Sequence, residues 1–432
     1  MAVTTVEKRG GRVAGAAALA AGALIVAGVV TAPAEAGAVT PNTAAVPVGR
    51  AVYSLGDLAF EPGAPYEGKS EIAAVVRYPE APGSSGPAPG RHPVIVMQHG
   101  QWATCADRAA QRALTKAHKA LERAEQAGDE AGAARQTRII GEMGDRLWAW
   151  PCRAGVPALP SSSGYAYLAE SLAREGFVVV SMGANGINAT SGGQAESVYQ
   201  ARAGLLNRHL ELWRQLDSGK GPLKRMLKNP VTGRAEGAAF AGRLDLGRVG
   251  TLGHSMGGGG VMQQVSDERH GDWPAGVTVK AALGLAPTAT WDNEPVTKVP
   301  LAVLWGTCDQ VNTGEYVKWN KGKNKAPLHG VTLTGGNHNY FNTQWSPSSG
   351  QVAAVNDAIP GERRGQCVAQ DGTDRRDQGL GEAVQRRITQ GYTVAFFRRY
   401  LLGDTSAQAL LTGRTMLPGV PDVVKVEYVT PH

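Results

Sequence analysis

Six short apolar runs, separated by helix-length stretches, constrain this chain more than any other feature. They fall at 93–98 (PVIVMQ), 177–182 (FVVVSM), 248–252, 279–285, 300–305 and 331–334. Each is too short for a buried helix, and most lack the polar alternation of a half-exposed strand. Runs of this kind alternating with helical stretches predict a parallel sheet covered on both faces, an α/β fold. Helices are expected at 165–175, 196–216 and 381–402, and from the Gly-rich turn after residue 252 to about Arg269. Further strands are expected at 51–60 and 71–78, with a short edge strand at 423–429 that the sequence cannot place. The 57 glycines among 432 residues are nearly twice the usual share of about 7%, which argues for tight turns and against a long bundle.

Two stretches interrupt the alternation. Residues 105–152 carry apolar positions at Ala110, Leu114, Ala117, Leu121 and Ala124, then at Ile139, Ile140, Met143 and Leu147, with Gly128-Asp129 between them. That spacing predicts a helical hairpin. Its stripes are mostly alanine, so it is expected to bury little against the main body and to form a cap near the site mouth. Surface decoration is the alternative. Residues 343–380, rich in Gln, Gly, Arg and Asp, are expected to form an irregular loop.

The N-terminus reads as an export signal. Lys8, Arg9 and Arg12 precede an uncharged stretch over 13–30, and Ala34 and Ala36 complete an A-x-A cleavage site. An uncleaved anchor is the alternative for an 18-residue run. The expected organisation is signal peptide 1–36, linker 37–50, main domain 51–402 with its two insertions, and tail 403–432. A secreted, monomeric protein without a stable membrane anchor is expected. Export gives the even cysteine count a meaning: Cys105, Cys152, Cys308 and Cys367 suggest two disulfides. Three connectivities are possible. Pairing Cys105 with Cys152 and Cys308 with Cys367 is favoured, because each bond then brackets one insertion. No cysteine–histidine spacing suggests zinc, and no metal or organic cofactor is expected. The formal charge of +7 is mild over this length and forms no dense basic block, so nucleic-acid binding is not expected.

Gly253-His254-Ser255-Met256-Gly257 matches G-x-S-x-G directly after the 248–252 strand and directly before a helix. In that context the serine stands exposed at a sharp turn. Its acid and base should follow on loops after later strands, in the order Ser, acid, His. Asp309 follows the 300–305 strand and His338 the 331–334 strand. Asp292 and Glu294 come before their strand, His329 precedes its own, and His432 is terminal. His254 should point away from Ser255, and His99 reads as structural. The backbone N–H groups of Gln101 and Met256 are the expected oxyanion donors.

With Gly253–Gly260, the 172–180 segment LAREGFVVV and the 333–338 segment LTGGNH, the chain resembles the α/β-hydrolase superfamily. More closely it is similar to the bacterial cutinase and polyester-hydrolase group and dienelactone-hydrolase-like esterases. The resemblance implies a serine hydrolase acting on small or polymeric carboxylic esters. Ser255, Asp309 and His338 would be its triad, and Gln101 and Met256 its oxyanion donors. An acyltransferase on the same triad is the alternative, and a non-catalytic binding protein the third reading. Departures exist: Gln101 stands where those polyester hydrolases usually carry an aromatic, and Thr288 follows Pro287 where they usually carry tryptophan. Trp102 and Trp291 lie nearby in sequence as substitutes. The interval from Gly306 to Asp309 is one residue shorter than in the cutinases.

Overall fold

The structure, a computed structural model, describes residues 46–81, 83, 86–190, 197–290 and 295–432. The export signal, Trp291, Asp292 and Glu294 lie outside the described residues. The strands are β1 (Val48–Ser54), β2 (Ala73–Pro79), β3 (His92–Gln98), β4 (Val178–Met182), β5 (Leu244–His254), β6 (Val279–Leu285), β7 (Leu301–Gly306), β8 (Leu328–Leu333), β9 (Gln366–Val368), β10 (Arg376–Gln378) and β11 (Val424–Val429). The helices used below are α1 (Arg108–Ala127), α2 (Glu130–Leu147), α3 (Ala166–Arg174), α4 (Asn185–Thr190), α5 (Ser197–Asp217), α6 (Leu223–Met226), α7 (Met256–Val265), α8 (Tyr316–Asn320) and α9 (Glu382–Phe397).

Nine strands form one sheet in the order β1-β2-β4-β3-β5-β6-β7-β8-β11. Strands β4, β3, β5, β6, β7 and β8 run parallel to their neighbours within that block. Strand β2 is antiparallel to both β1 and β4, and β11 is antiparallel to β8. Every residue of β3 and β4 is buried, as a strand covered on both faces requires. Alternate side chains serve opposite faces. Val94 and Val96 join a core that includes Leu206, Leu210 and Trp213 of α5, while Ile95 and Met97 join one that includes Leu168, Leu172, Ile388 and Phe396 of α3 and α9. The fold is of the α/β-hydrolase type with a helical insertion.

That insertion is the α1–α2 hairpin. Asp107 caps α1 by accepting from Ala110 N, Gly128 ends it in the left-handed conformation, and Asp129 caps α2 through Gly132 N. Only Ala110 and Ala117 of α1, and Gly132 and Leu147 of α2, are buried. Ala110 and Leu147 sit in a small core with Ala103, Leu159, Trp345 and Val352, so the hairpin is rooted at its open end. The disulfide Cys105–Cys152 closes that end, and a second disulfide joins Cys308 to Cys367. Both favoured pairings are therefore present.

The stretch expected to be irregular contains the β9–β10 ribbon, with Cys367 opposite Asp377. Strand β8 begins at Leu328, three residues earlier than expected, and takes His329 into its interior. The C-terminal stretch supplies β11, whose Val426 pairs with Val331. Among the described residues, no helix is long and apolar enough to cross a membrane.

Candidate active site

Strand β5 ends at His254 and α7 starts at Met256; between them stands Ser255, whose φ of 56° is unusual for a residue with a side chain. Such a conformation costs of order 1–3 kcal/mol and persists only where its surroundings over-determine it. They do here. The Ser255 N–H donates to Leu285 O at 3.0 Å, and its carbonyl accepts from Gly259 N at 3.1 Å and Thr288 N at 3.0 Å. A side chain at Gly253 would meet the Gly257 carbonyl at 2.1 Å, so the turn closes only with glycine there. Gly100 is constrained in the same way, since its Cβ would lie 2.4 Å from the Ser255 Cβ. The loop after β3 thus presses directly on Ser255.

Ser255, Met256, Gln101 and His338 line one cavity of about 460 Å³. Trp102, Trp148, Val311 and Val355 supply much of its apolar wall, and Trp148 is the residue that ends α2. Two cavities of about 520 Å³ elsewhere contain no histidine. Met256 is the first residue of α7, a position whose N–H has no acceptor within the helix. No group of three or more His, Cys, Asp or Glu side chains among the described residues is placed to hold a metal ion.

His338 Nδ1 lies 2.8 Å from Asp309 Oδ2. Asp309 is fully buried, and its Oδ1 accepts from Val311 N at 2.8 Å and Asn312 N at 2.9 Å. The carboxylate oxygen facing it holds the imidazole proton on Nδ1, which leaves Nε2 as the basic nitrogen. Burial alone would lower the His338 pKa. The Asp309 charge and hydrogen bond, with Asp357 adding, outweigh burial and raise it above its ordinary value.

Three other histidines weighed from the sequence have partners of their own. His254 Nδ1 lies 2.9 Å from the Tyr165 hydroxyl, and its ring is 4.8 Å from that of His338. Burial, then the His338 charge, holds its pKa well below the ordinary range, so it packs beside His338 as a neutral ring. His329 is buried, with Nδ1 3.0 Å from Leu411 O and Nε2 2.7 Å from the Tyr400 hydroxyl. His99 Nε2 accepts from Ala184 N, which places the ring proton on Nδ1, 2.9 Å from Gly100 O.

Asp357 is a site residue that no sequence motif marks. It lines the same cavity and accepts from Gln310 N and Asn339 N, each at 3.3 Å, so it staples the loop bearing Asp309 to the loop bearing His338. Burial first, then the nearby Asp309 charge, raises its pKa, while His338 opposes the shift. From α9, Gln385 clamps the His338 loop, accepting from Asn337 N at 2.8 Å and donating to Asn337 O at 2.7 Å. Neither residue carries a local motif. The only signal was their position after the histidine, in stretches read as a loop and a closing helix.

No protein-family model and no curated protein matches this chain.

Proposed function

We propose that the chain is a secreted serine hydrolase of carboxylic esters that works through an acyl-enzyme, with Ser255, His338 and Asp309 as its triad. One observation carries the reading: Ser255, held at a positive-φ turn at the head of α7, shares a cavity with a histidine bonded to a buried carboxylate. His338 Nε2 takes the Ser255 proton as Oγ attacks the ester carbonyl. The Gln101 and Met256 N–H groups receive the oxyanion. His338 returns the proton to the leaving alcohol, and the cycle repeats with water as nucleophile. Two disulfides and the basic–apolar–A-x-A segment over 8–36 support export.

The resemblance to cutinases, polyester hydrolases and dienelactone-hydrolase-like esterases suggests the substrate. Trp148, Val311 and Val355 are exposed apolar side chains on the cavity wall, a surface suited to the hydrocarbon part of an ester. Stoichiometric labelling of Ser255 by a fluorophosphonate, together with turnover of p-nitrophenyl esters of increasing chain length, tests the proposal. Adding a competing alcohol separates hydrolysis from acyl transfer. Labelling at another residue would overturn the assignment.

Two expectations follow from the geometry. The base must be neutral, so kcat/KM should rise with pH through the His338 pKa, and the acid limb should lie above pH 6.5, the ordinary histidine value. Asp357→Asn removes a nearby negative charge and should move that limb to lower pH. A limb unmoved in this variant would remove Asp357 from the electrostatics of His338. Trp148→Ala should lower kcat/KM for long-chain esters about tenfold while sparing acetate, the usual scale for a lost apolar contact. Replacing residues 106–151 with a short linker, with Cys105 and Cys152 also substituted, removes the same wall and should change chain-length preference in the same direction. An unchanged ester profile in a folded deletion variant would leave the hairpin without a role in substrate choice.

A further inference from the structure

Behind the loop that follows β3 lies a buried cation that the triad does not use. Arg202, on α5, is fully buried. Burial lowers its pKa to about 10, which still leaves it charged at neutral pH. Its Nη1 donates to His99 O at 3.1 Å and its Nη2 to Asn188 Oδ1. A guanidinium has donors only, so Arg202 decides which way the Asn188 amide faces: Oδ1 toward the cation, Nδ2 away from it. That Nδ2 donates to Gly100 O at 3.1 Å and to Trp102 O at 3.2 Å. Asn188 is itself held from below. It lies on α4, whose first N–H groups, from Asn185 and Gly186, donate to the buried carboxylate of Glu71 at 2.7 and 3.0 Å.

Gly100 O therefore receives two hydrogen bonds, from Asn188 Nδ2 and His99 Nδ1. A trans peptide unit is planar, and its N–H points opposite its C=O. Pinning Gly100 O toward the interior thus fixes the direction of the Gln101 N–H in the same peptide unit, and Gln101 lines the cavity.

We propose that Arg202 and Asn188 are positioning residues for the oxyanion site, forming a charge-terminated relay: guanidinium to Asn188 amide to the Gly100–Gln101 peptide. The relay holds the Gln101 N–H on the position where negative charge develops. It also polarises that N–H, since successive amide hydrogen bonds strengthen one another, by about 10–30% per bond. The buried cation at its far end is of the sign that favours an oxyanion. This inference rests on the reading of Gln101 as an oxyanion donor.

Asn188→Asp is the discriminating variant. The carboxylate keeps the shape and pairs with Arg202, but it cannot donate to Gly100 O. The new oxygen faces the carbonyls of Gly100 and Trp102, so some thermal stability should be lost. In the folded enzyme kcat per active site should fall about 10²-fold, the scale of losing one oxyanion donor, and KM should change little. Affinity for a boronic-acid transition-state analogue should fall with kcat, whereas the pH of the acid limb should stay within the range set by His338 and its carboxylates. Asn188→Ala should lose kcat likewise, and counting active sites by end-point fluorophosphonate labelling corrects for any unfolded fraction. A folded Asn188→Asp enzyme with wild-type kcat and boronate affinity would overturn the relay. Absence of Ser255-dependent esterase activity in the wild type would instead overturn the functional reading beneath it.

Discussion

Ser255→Ala should lower kcat for p-nitrophenyl esters by about 10⁶ while leaving the fold intact. The replacement removes one hydroxyl and leaves the backbone contacts that hold the turn: the Ser255 N–H to Leu285 O, and the bonds its carbonyl takes from Gly259 and Thr288. Alanine at φ 56° is strained much as serine is, so little stability should be lost. His338→Ala should be comparably inactive, and the double variant no worse than either single one, because serine and base act as a unit. Asp309→Asn should cost about 10⁴, since an amide in place of the carboxylate disturbs the tautomer that makes Nε2 basic. It also removes an anion that accepts from His338 Nδ1, Val311 N and Asn312 N. This variant should therefore lose stability where Ser255→Ala does not. Full activity in Ser255→Ala, or additive losses in the double variant, would defeat the proposed mechanism.

What could be read from the sequence was what local pattern encodes. Strands β3, β4, β6 and β7 appear as continuous apolar runs because both of their faces are covered, and periodicity reports that directly. The apolar run at 248–252 marks only about half of strand β5. Its first residues, Leu244-Asp245-Leu246-Gly247, alternate and include a glycine, yet Leu244 and Asp245 pair with His92 and Pro93 across a register shift. The start of β8 is hidden in the sequence for a related reason. A histidine and a glycine break the apolar run, and what permits His329 inside the strand is Leu411 and Tyr400, far along the chain. The β9–β10 ribbon is short and polar. Its Asp377 is buried because Thr307 and the neighbouring Arg375 bond it there, and the Thr307 contact, 70 residues away, is invisible to any local window.

The candidate site divides the same way. Ser255, Asp309 and His338 were legible because a motif and the order of strands along the chain suffice to nominate them. Asp357, Gln385, Asn188 and Arg202 act by holding other loops. Each has meaning only once the sheet brings distant segments together: Arg202 with the carbonyl of His99, Gln385 with the backbone of Asn337.

Replacing Cys308 and Cys367 together by alanine should cost about 4 kcal/mol, because the bond closes a loop spanning a sequence separation of 59 and constrains the unfolded chain accordingly. That is a large part of the 5–15 kcal/mol typical of a folded domain. Cys308 adjoins Asp309, so the loss falls on the loop that carries the acid. Other bonds hold that loop, however. Cys308 N donates to Gly336 O at 2.9 Å, Gln370 N donates to Thr307 O at 2.8 Å, and Thr307 Oγ1 bonds Asp377 and accepts from Gly335 N. Well below the melting temperature, kcat should therefore fall less than about tenfold, a small reorientation of the acid rather than its loss. The Cys105–Cys152 pair is the control. Its separation of 47 predicts a similar stability loss, but it closes the root of the hairpin and leaves the Asp309 loop untouched, so kcat should hold. Urea midpoints and kcat measured on the two double-alanine variants separate the bonds. A Cys308/Cys367 variant as stable as wild type would mean the hydrogen bonds alone order this loop and the disulfide adds nothing to it.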